Sequence, residues 1–156
     1  METTFVELEG ENDLSDEDKV LLEQARKATK EAYAPYSSFH VGAALRTKHG
    51  AVVRGSNFEN ASYPLCLCAE RSAIAAARSA YGSPKIDCMA ITASTDKAEL
   101  SNPVTPCGAC RQVLFEVEQI QGSPLKLILE GKNGKIWVLK TVSDLVPLAF
   151  DGTFLR

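Results

Sequence analysis

No stretch of this 156-residue sequence approaches the roughly 18 continuous apolar residues that a membrane-spanning helix requires. The segment Met1 to Asp18 is acidic and has no apolar core, so it does not read as a secretory signal peptide. Its first part, Met1 to Leu14, is expected to be an acidic, flexible leader, with residues 15–156 forming one domain. Lys/Arg runs are also missing and the formal net charge is −3, whereas polynucleotide binders usually carry a basic face. Neither nucleic acid nor membrane is therefore an expected partner. Histidine is scarce: His40 and His49 are the two present. They fall in an expected strand and an expected turn, and read as ordinary residues rather than ligands. The cysteines, Cys66, Cys68, Cys88, Cys107 and Cys110, are odd in number. Without a secretory signal this argues against a disulfide framework and for a cytoplasmic chain with reduced thiols available to a metal. Repeats and low-complexity tracts are absent, and the length suits one compact domain with a real core.

What is present is an orderly series of helix and strand signals. Ser15 with Asp18 three residues on resembles a capping box, and Leu21, Ala25, Ala28 and Ala32 recur at helical spacing. A first helix is expected over Asp16 to Tyr33, ended by Pro35. Val41, Ala43 and Leu45 alternate, predicting a strand from His40 to Thr47; Lys48-His49-Gly50 turns it into a second strand, Ala51 to Gly55, as a hairpin. An Ala-rich helix follows Cys68, over Ala69 to Ala80, with little polar relief and therefore expected to be buried. Ile86 to Ala93 reads as a central strand covered on both faces. Asp96 to Thr105 is a polar loop, and Pro106 opens a helix over Gly108 to Gln119. Leu125 to Glu130 and Lys135 to Lys140 are strands, with a further helical turn starting near Ser143. The order α-β-β-α-β-α-β-β describes one layered α/β sheet of five strands. Only Gly131-Lys132-Asn133-Gly134 joins the last two, and parallel neighbours need a crossover of a dozen or more residues. That pair must run antiparallel if adjacent.

Two short strings carry the chemistry: Cys68-Ala69-Glu70, and Pro106-Cys107-Gly108-Ala109-Cys110. Cys107 and Cys110 are three apart, so on the first turn of a helix their side chains share a face. Cys68 begins the other helix, and two helices side by side would aim all three sulfurs at one ion. Three protein ligands leave tetrahedral zinc one open position, the arrangement of a catalytic rather than a structural site. Glu70, two residues from a ligand, is the candidate proton shuttle for a water there, a role worth about 10²–10⁴-fold in rate. Three thiolates leave zinc with a formal charge of about −1, which weakens its Lewis acidity. Helix N-termini, each roughly half a positive charge, and Arg71 as a donor to ligand sulfur are the expected compensation. Other readings stay open at this point. Cys107 and Cys110 alone could form a redox pair or half of a structural zinc site, with Cys66 or Cys88 as a further ligand. A zinc module without catalysis would use the same three cysteines.

With these residues the chain resembles the small, free-nucleoside, homotetrameric cytidine deaminases, whose signature pairs Cys/His-x-Glu with Pro-Cys-x-x-Cys. The resemblance runs from about Leu21 to Phe150. It rests on Pro35-Tyr36-Ser37-Ser38-Phe39-His40-Val41-Gly42-Ala43-Ala44, Gly55-Ser56-Asn57-Phe58-Glu59-Asn60-Ala61-Ser62-Tyr63, Cys68 to Arg71, Pro106 to Gln112, and Leu145-Val146-Pro147-Leu148-Ala149-Phe150. Its departures are the leader and His40, where proline is frequent.

The resemblance implies a three-layer α-β-α fold, one zinc per subunit, and hydrolysis of cytidine and 2′-deoxycytidine to the uridines and ammonia in pyrimidine salvage. It implies that Asn57 and Glu59 hydrogen-bond the ribose hydroxyls, that Phe39 packs on the pyrimidine, and that the Ala69 backbone and Glu70 carboxylate read the base edge. Phe150 would reach a neighbouring subunit's site, and Tyr63 would lie at a subunit interface. A different substrate within the same fold is the competing expectation: a nucleotide, guanine, an antibiotic or a polynucleotide. The acidic balance, the short last hairpin and the Asn57/Glu59 pair favour a free nucleoside.

Overall fold

The computed structural model describes residues 3–131 and 133–155. Its elements are β1 (Val6–Leu8), α1 (Asp16–Thr29), β2 (His40–Thr47), β3 (Val52–Ser56), α2 (Ala69–Tyr81), β4 (Ile86–Ser94), α3 (Gly108–Gln121), β5 (Lys126–Glu130) and β6 (Ile136–Leu139). The strands form one mixed sheet in the order β1-β6-β5-β4-β2-β3.

Side-chain alternation sorts the strands into two cores. Ala43, Leu45, Met89, Ile91, Leu127 and Leu129 face α2 and α3; the intervening Ala44, Cys88, Ala90 and Ile128 face α1 with Leu21, Leu22 and Ala25. Successive residues of a strand point to opposite faces, so a strand apolar at every position needs a layer on each side. The result is the expected three-layer arrangement. β4 and β5 are parallel, joined through α3, whereas β5 and β6 are antiparallel across their short link. Glycines make two of the close approaches. A Cβ on Gly42 would stand 2.1 Å from Ala25 O, and one on Gly55 2.4 Å from Ala69 O. The second contact seats the first turn of α2, and hence Cys68 and Glu70, directly on β3.

Three expectations are corrected. The sheet has six strands, not five, because Val6–Leu8, within the segment read as a leader, pairs antiparallel with β6 (Val6 with Val138, Leu8 with Ile136). Phe5 lies 4.8 Å from Trp137, ring centroid to centroid, and Trp137 Nε1 donates to Glu7 at 2.7 Å. Helix α1 stops at Thr29 rather than Tyr33. Ser56 Oγ donates to Ala28 O at 2.8 Å, and Tyr33 N donates instead to Asn57 O at 3.0 Å, drawing the chain toward the site. Finally, α2 buries one face only: Ala69, Glu70, Ala73, Ile74 and Ala77 are covered, while Ala75, Ala76 and Ala80 are exposed in the single chain.

Candidate active site and metal centre

Cys68 is the N-cap of α2 and Cys107 the N-cap of α3, each with extended backbone and neither side chain accepting a capping bond from the backbone of its own helix. Both sulfurs are therefore free to turn outward. Cys110 lies one turn into α3 and is buried. The three sulfurs lie within 4.8 Å of one another, and Cys68 Sγ is 3.8 Å from Cys107 Sγ. Sulfurs about 2.3 Å from a tetrahedral ion stand about 3.8 Å apart, so the donor set fits zinc in chemistry and spacing. Among the described residues this is the one such cluster, and it includes neither Cys66 nor Cys88. Cys66 Sγ instead accepts from Asn60 N at 3.2 Å, and Cys88 is buried on the α1 face of β4.

One thiol of the trio, that of Cys68, is set to carry negative charge. A hydrogen bond from Cys110 pulls the Cys68 thiol down to about 5 against its partial burial, helped by Arg71 and Cys107. The same bond, with burial and the Glu70 charge, pushes Cys110 up. Arg71 Nη2 donates to Cys66 O at 3.3 Å and lies 3.8 Å from Cys68 Sγ. The approach places a cation beside the Cys68 sulfur.

A cavity of about 460 Å³ opens beside the cysteines, lined among others by Phe39, Asn57, Glu59, Cys68, Glu70 and Cys107. Glu70 is 4% exposed, and burial raises the pKa of its carboxyl, with the Cys68 charge adding to the effect. A carboxyl so placed changes protonation closer to neutrality than a solvated one, as a proton shuttle must. Ala69 is fully buried at the start of α2.

Asn57 and Glu59 are both half-buried, and both grip the Tyr36–Val41 backbone. Asn57 Oδ1 accepts from Val41 N at 2.8 Å and its Nδ2 donates to Phe39 O at 2.9 Å. Glu59 Oε2 accepts from Tyr36 N at 2.8 Å and Ser37 N at 3.2 Å, while Oε1 accepts from Ser37 Oγ. These bonds, that from Ser37 Oγ first, lower the Glu59 pKa. Phe150 lies outside this cavity, 57% exposed beside a groove between α2 and α3, where Gln112 Nε2 donates to its carbonyl at 2.8 Å. Tyr63 is 69% exposed at the tip of the loop before α2, edge-on to Tyr36.

Sequence reasoning missed two contributions. Val104 and Thr105 close the cavity from the loop before α3, and Arg111 fixes that loop by donating to Pro106 O at 2.8 Å and Thr105 Oγ1 at 3.1 Å. The signal was the Pro106-to-Arg111 string itself, in which Arg111 stood beside the ligands without an assigned purpose. Ser37 is the second.

An α/β sheet that aims two helix N-caps and a buried carboxylate at one cavity defines a metal-centred hydrolytic site. The chain belongs to the cytidine and deoxycytidylate deaminases: the zinc-binding region of that family matches residues 15–122. It is 45% identical over 132 residues to the cytidine deaminase of Halalkalibacterium halodurans, covering 85% of this chain and 92% of that protein. It is 41% identical over 130 residues to the cytidine deaminase of Sporosarcina psychrophila, covering 83% and 88%. The crystal structure of cytidine deaminase from Burkholderia pseudomallei matches with a TM-score of 0.75 at 44% identity, covering 85% of this chain and 98% of that one.

Proposed function

We propose that the protein hydrolyses cytidine and 2′-deoxycytidine to uridine and 2′-deoxyuridine, releasing ammonia in pyrimidine salvage. The observation that carries this reading is the buried Glu70 carboxyl in the cavity that Cys68 and Cys107, two of the three convergent cysteines, also line. Cys68, Cys107 and Cys110 would hold zinc, which supplies Lewis acidity toward water. Glu70 takes a proton from the attacking water and passes it to the ring nitrogen next to the reacting carbon; it then takes the proton left on the added oxygen and delivers it to the amine, which departs as ammonia. Burial supports this role, since solvent cannot compete for the proton. The Ala69 backbone, at the start of α2, reads the base edge with Glu70. Phe39 packs on the pyrimidine.

Asn57 and Glu59 take the sugar hydroxyls with the capacity that the loop leaves them. An amide has two donor hydrogens and a carboxylate about four acceptor sites. One Asn57 hydrogen and one Glu59 site remain after the bonds described above. One hydroxyl can then accept while the other donates, the pattern of a diol. Arg71 offsets thiolate charge.

The chain assembles as a homotetramer with sites shared between subunits. Support comes from the exposed alanine face of α2 and from Tyr63 and Phe150, both exposed and outside their own chain's cavity. Among the described residues no helix is long and apolar enough to cross a membrane; with unpaired thiols, a cytoplasmic setting is the proposed one.

The test is ultraviolet monitoring of cytidine, 2′-deoxycytidine, deoxycytidylate and cytosine with purified protein, alongside zinc per chain and activity across gel-filtration fractions. Deamination of both nucleosides with about one zinc per chain is expected. Failure to remove the amino group from any free cytosine nucleoside overturns the reading, and full specific activity in a demonstrated monomer overturns the shared sites.

A further inference from the structure

Ser37 stands between the side chain proposed to read the sugar and the one proposed to face the base. Its N–H and hydroxyl both donate to the Glu59 carboxylate, one to each oxygen. Its Oγ also accepts from Phe39 N at 3.0 Å. Phe39 is thus clamped at both backbone polar groups: its N–H on Ser37 Oγ, its carbonyl on Asn57 Nδ2 at 2.9 Å. The backbone between them is unusual. Ser38 has φ 57°, a left-handed conformation that non-glycine residues rarely adopt, and its N–H closes a turn onto Ala34 O at 3.0 Å. A residue in that region persists where its surroundings over-determine it. Here they do, through Glu59, Ser37 and Asn57. All three, with Phe39, line the cavity that holds Glu70.

We infer that Ser37 is a positioning residue that couples sugar recognition to base recognition, by holding the Glu59 carboxylate and the Phe39 backbone in one hydrogen-bonded unit. This rests on the nucleoside-deaminase reading above. The coupling follows from counting acceptor sites. A carboxylate offers about four; Tyr36 N, Ser37 N and Ser37 Oγ fill three, leaving one on Oε1. A sugar hydroxyl therefore meets a single site, in one register with the ring of Phe39. Without the Ser37 hydroxyl a second site opens on Oε1 and the Phe39 N–H loses its acceptor. The hydroxyl then has two registers and the aromatic wall has none fixed.

The experiment compares wild type with Ser37→Ala and Ser37→Thr on cytidine and on 2′,3′-dideoxycytidine, which lacks the diol. Ser37→Ala is expected to lower kcat/KM for cytidine roughly tenfold, chiefly through KM, as loss of one hydrogen bond to a charged group does. The fall on dideoxycytidine is expected to be clearly smaller, because that substrate loses the fixed register of Phe39 but never engages Glu59. Ser37→Thr, which keeps the hydroxyl, is expected to restore the cytidine value. An equal fall on both substrates, or no fall on cytidine, overturns the coupling. Wild type inactive on cytidine overturns the enzyme reading instead, so the two failures are distinguishable. Zinc per chain and Tm of Ser37→Ala are followed in parallel. Should that variant fail to fold, Ser37→Cys, whose thiol donates weakly, carries the same comparison.

Discussion

Replacing Glu70 by Gln removes the proposed proton shuttle while keeping shape and volume. The magnitude follows from what else could move a proton in the cavity. Among the described residues, the other carboxylate lining it is Glu59. Its oxygens accept from Tyr36 N, Ser37 N and Ser37 Oγ, and these bonds hold its pKa below the ordinary value, so it is a poor proton carrier. Glu70 is 4% exposed, leaving bulk water little access to the same position. With neither substitute at hand, the loss belongs at the upper end of the general acid–base range, about 10³–10⁴-fold in kcat, or about 4–5.5 kcal/mol in the barrier. KM, zinc per chain and subunit assembly are expected to stay near wild type, because Gln fills the same space and Glu70 is outside the cysteine cluster. Tm is expected to be unchanged or raised, since a neutral amide avoids the desolvation that burial imposes on a carboxylate. The assay is steady-state ultraviolet deamination of cytidine, with zinc analysis and thermal melting on the same preparation. A kcat within tenfold of wild type would refute the reasoning. A loss of activity accompanied by loss of zinc or fold would refute it too, by making Glu70 structural.

Arg71→Gln is expected to weaken zinc retention in a chelator challenge and to lower kcat, since it removes the cation 3.8 Å from Cys68 Sγ; full activity and retention would show that the helix N-termini suffice. Glu118 is buried and accepts from Leu125 N, Val142 N, Thr141 Oγ1 and both donors of Ser143, which together lower its pKa against the cost of burial. Its contribution is therefore present above the ordinary carboxyl pKa and lost as pH falls through the lowered one. Glu118→Gln should cost about 2–3 kcal/mol near pH 7 by setting amide hydrogens against these donors, and much less in acid; urea denaturation at pH 7 and below pH 4 measures it, and a pH-independent difference would count against it. Removal of residues 1–9 is expected to lower Tm and promote association by baring the β6 edge and Trp137, while leaving kcat within about twofold; an unchanged Tm would mean that β1 adds nothing to stability.

Much of the site was legible because its geometry is local. Cys107 and Cys110 share a helix face by their spacing, and Glu70 follows Cys68 by two residues at a helix start, so a few residues of sequence decide where each side chain points. The same holds for β2, which runs from His40 to Thr47 as its alternation implied, and for the antiparallel final pair, which the four-residue link required. The misreadings are non-local. Val6–Leu8 is too short to announce itself, and becomes a strand only because β6 would otherwise end the sheet with an open edge beside Trp137. Tyr33 continues a helical pattern, yet a bridge to Phe58 outcompetes one more helical turn.

The order of elements from α1 onward, the three cysteines of the cluster and the placement of Glu70 two residues from one of them were thus determined by the sequence alone, through periodicity and short-range spacing. Whether the three sulfurs meet was decided only by the tertiary structure. It depends on α2 and α3 sharing one face of the sheet, with Gly55 letting the first turn of α2 sit directly on β3. The organisation of Asn57, Glu59, Ser37 and Phe39 into one hydrogen-bonded unit was decided there too. Their partners lie about twenty positions apart, and a side chain's hydrogen bonds across such a distance are set by how the chain returns on itself, which no local pattern encodes.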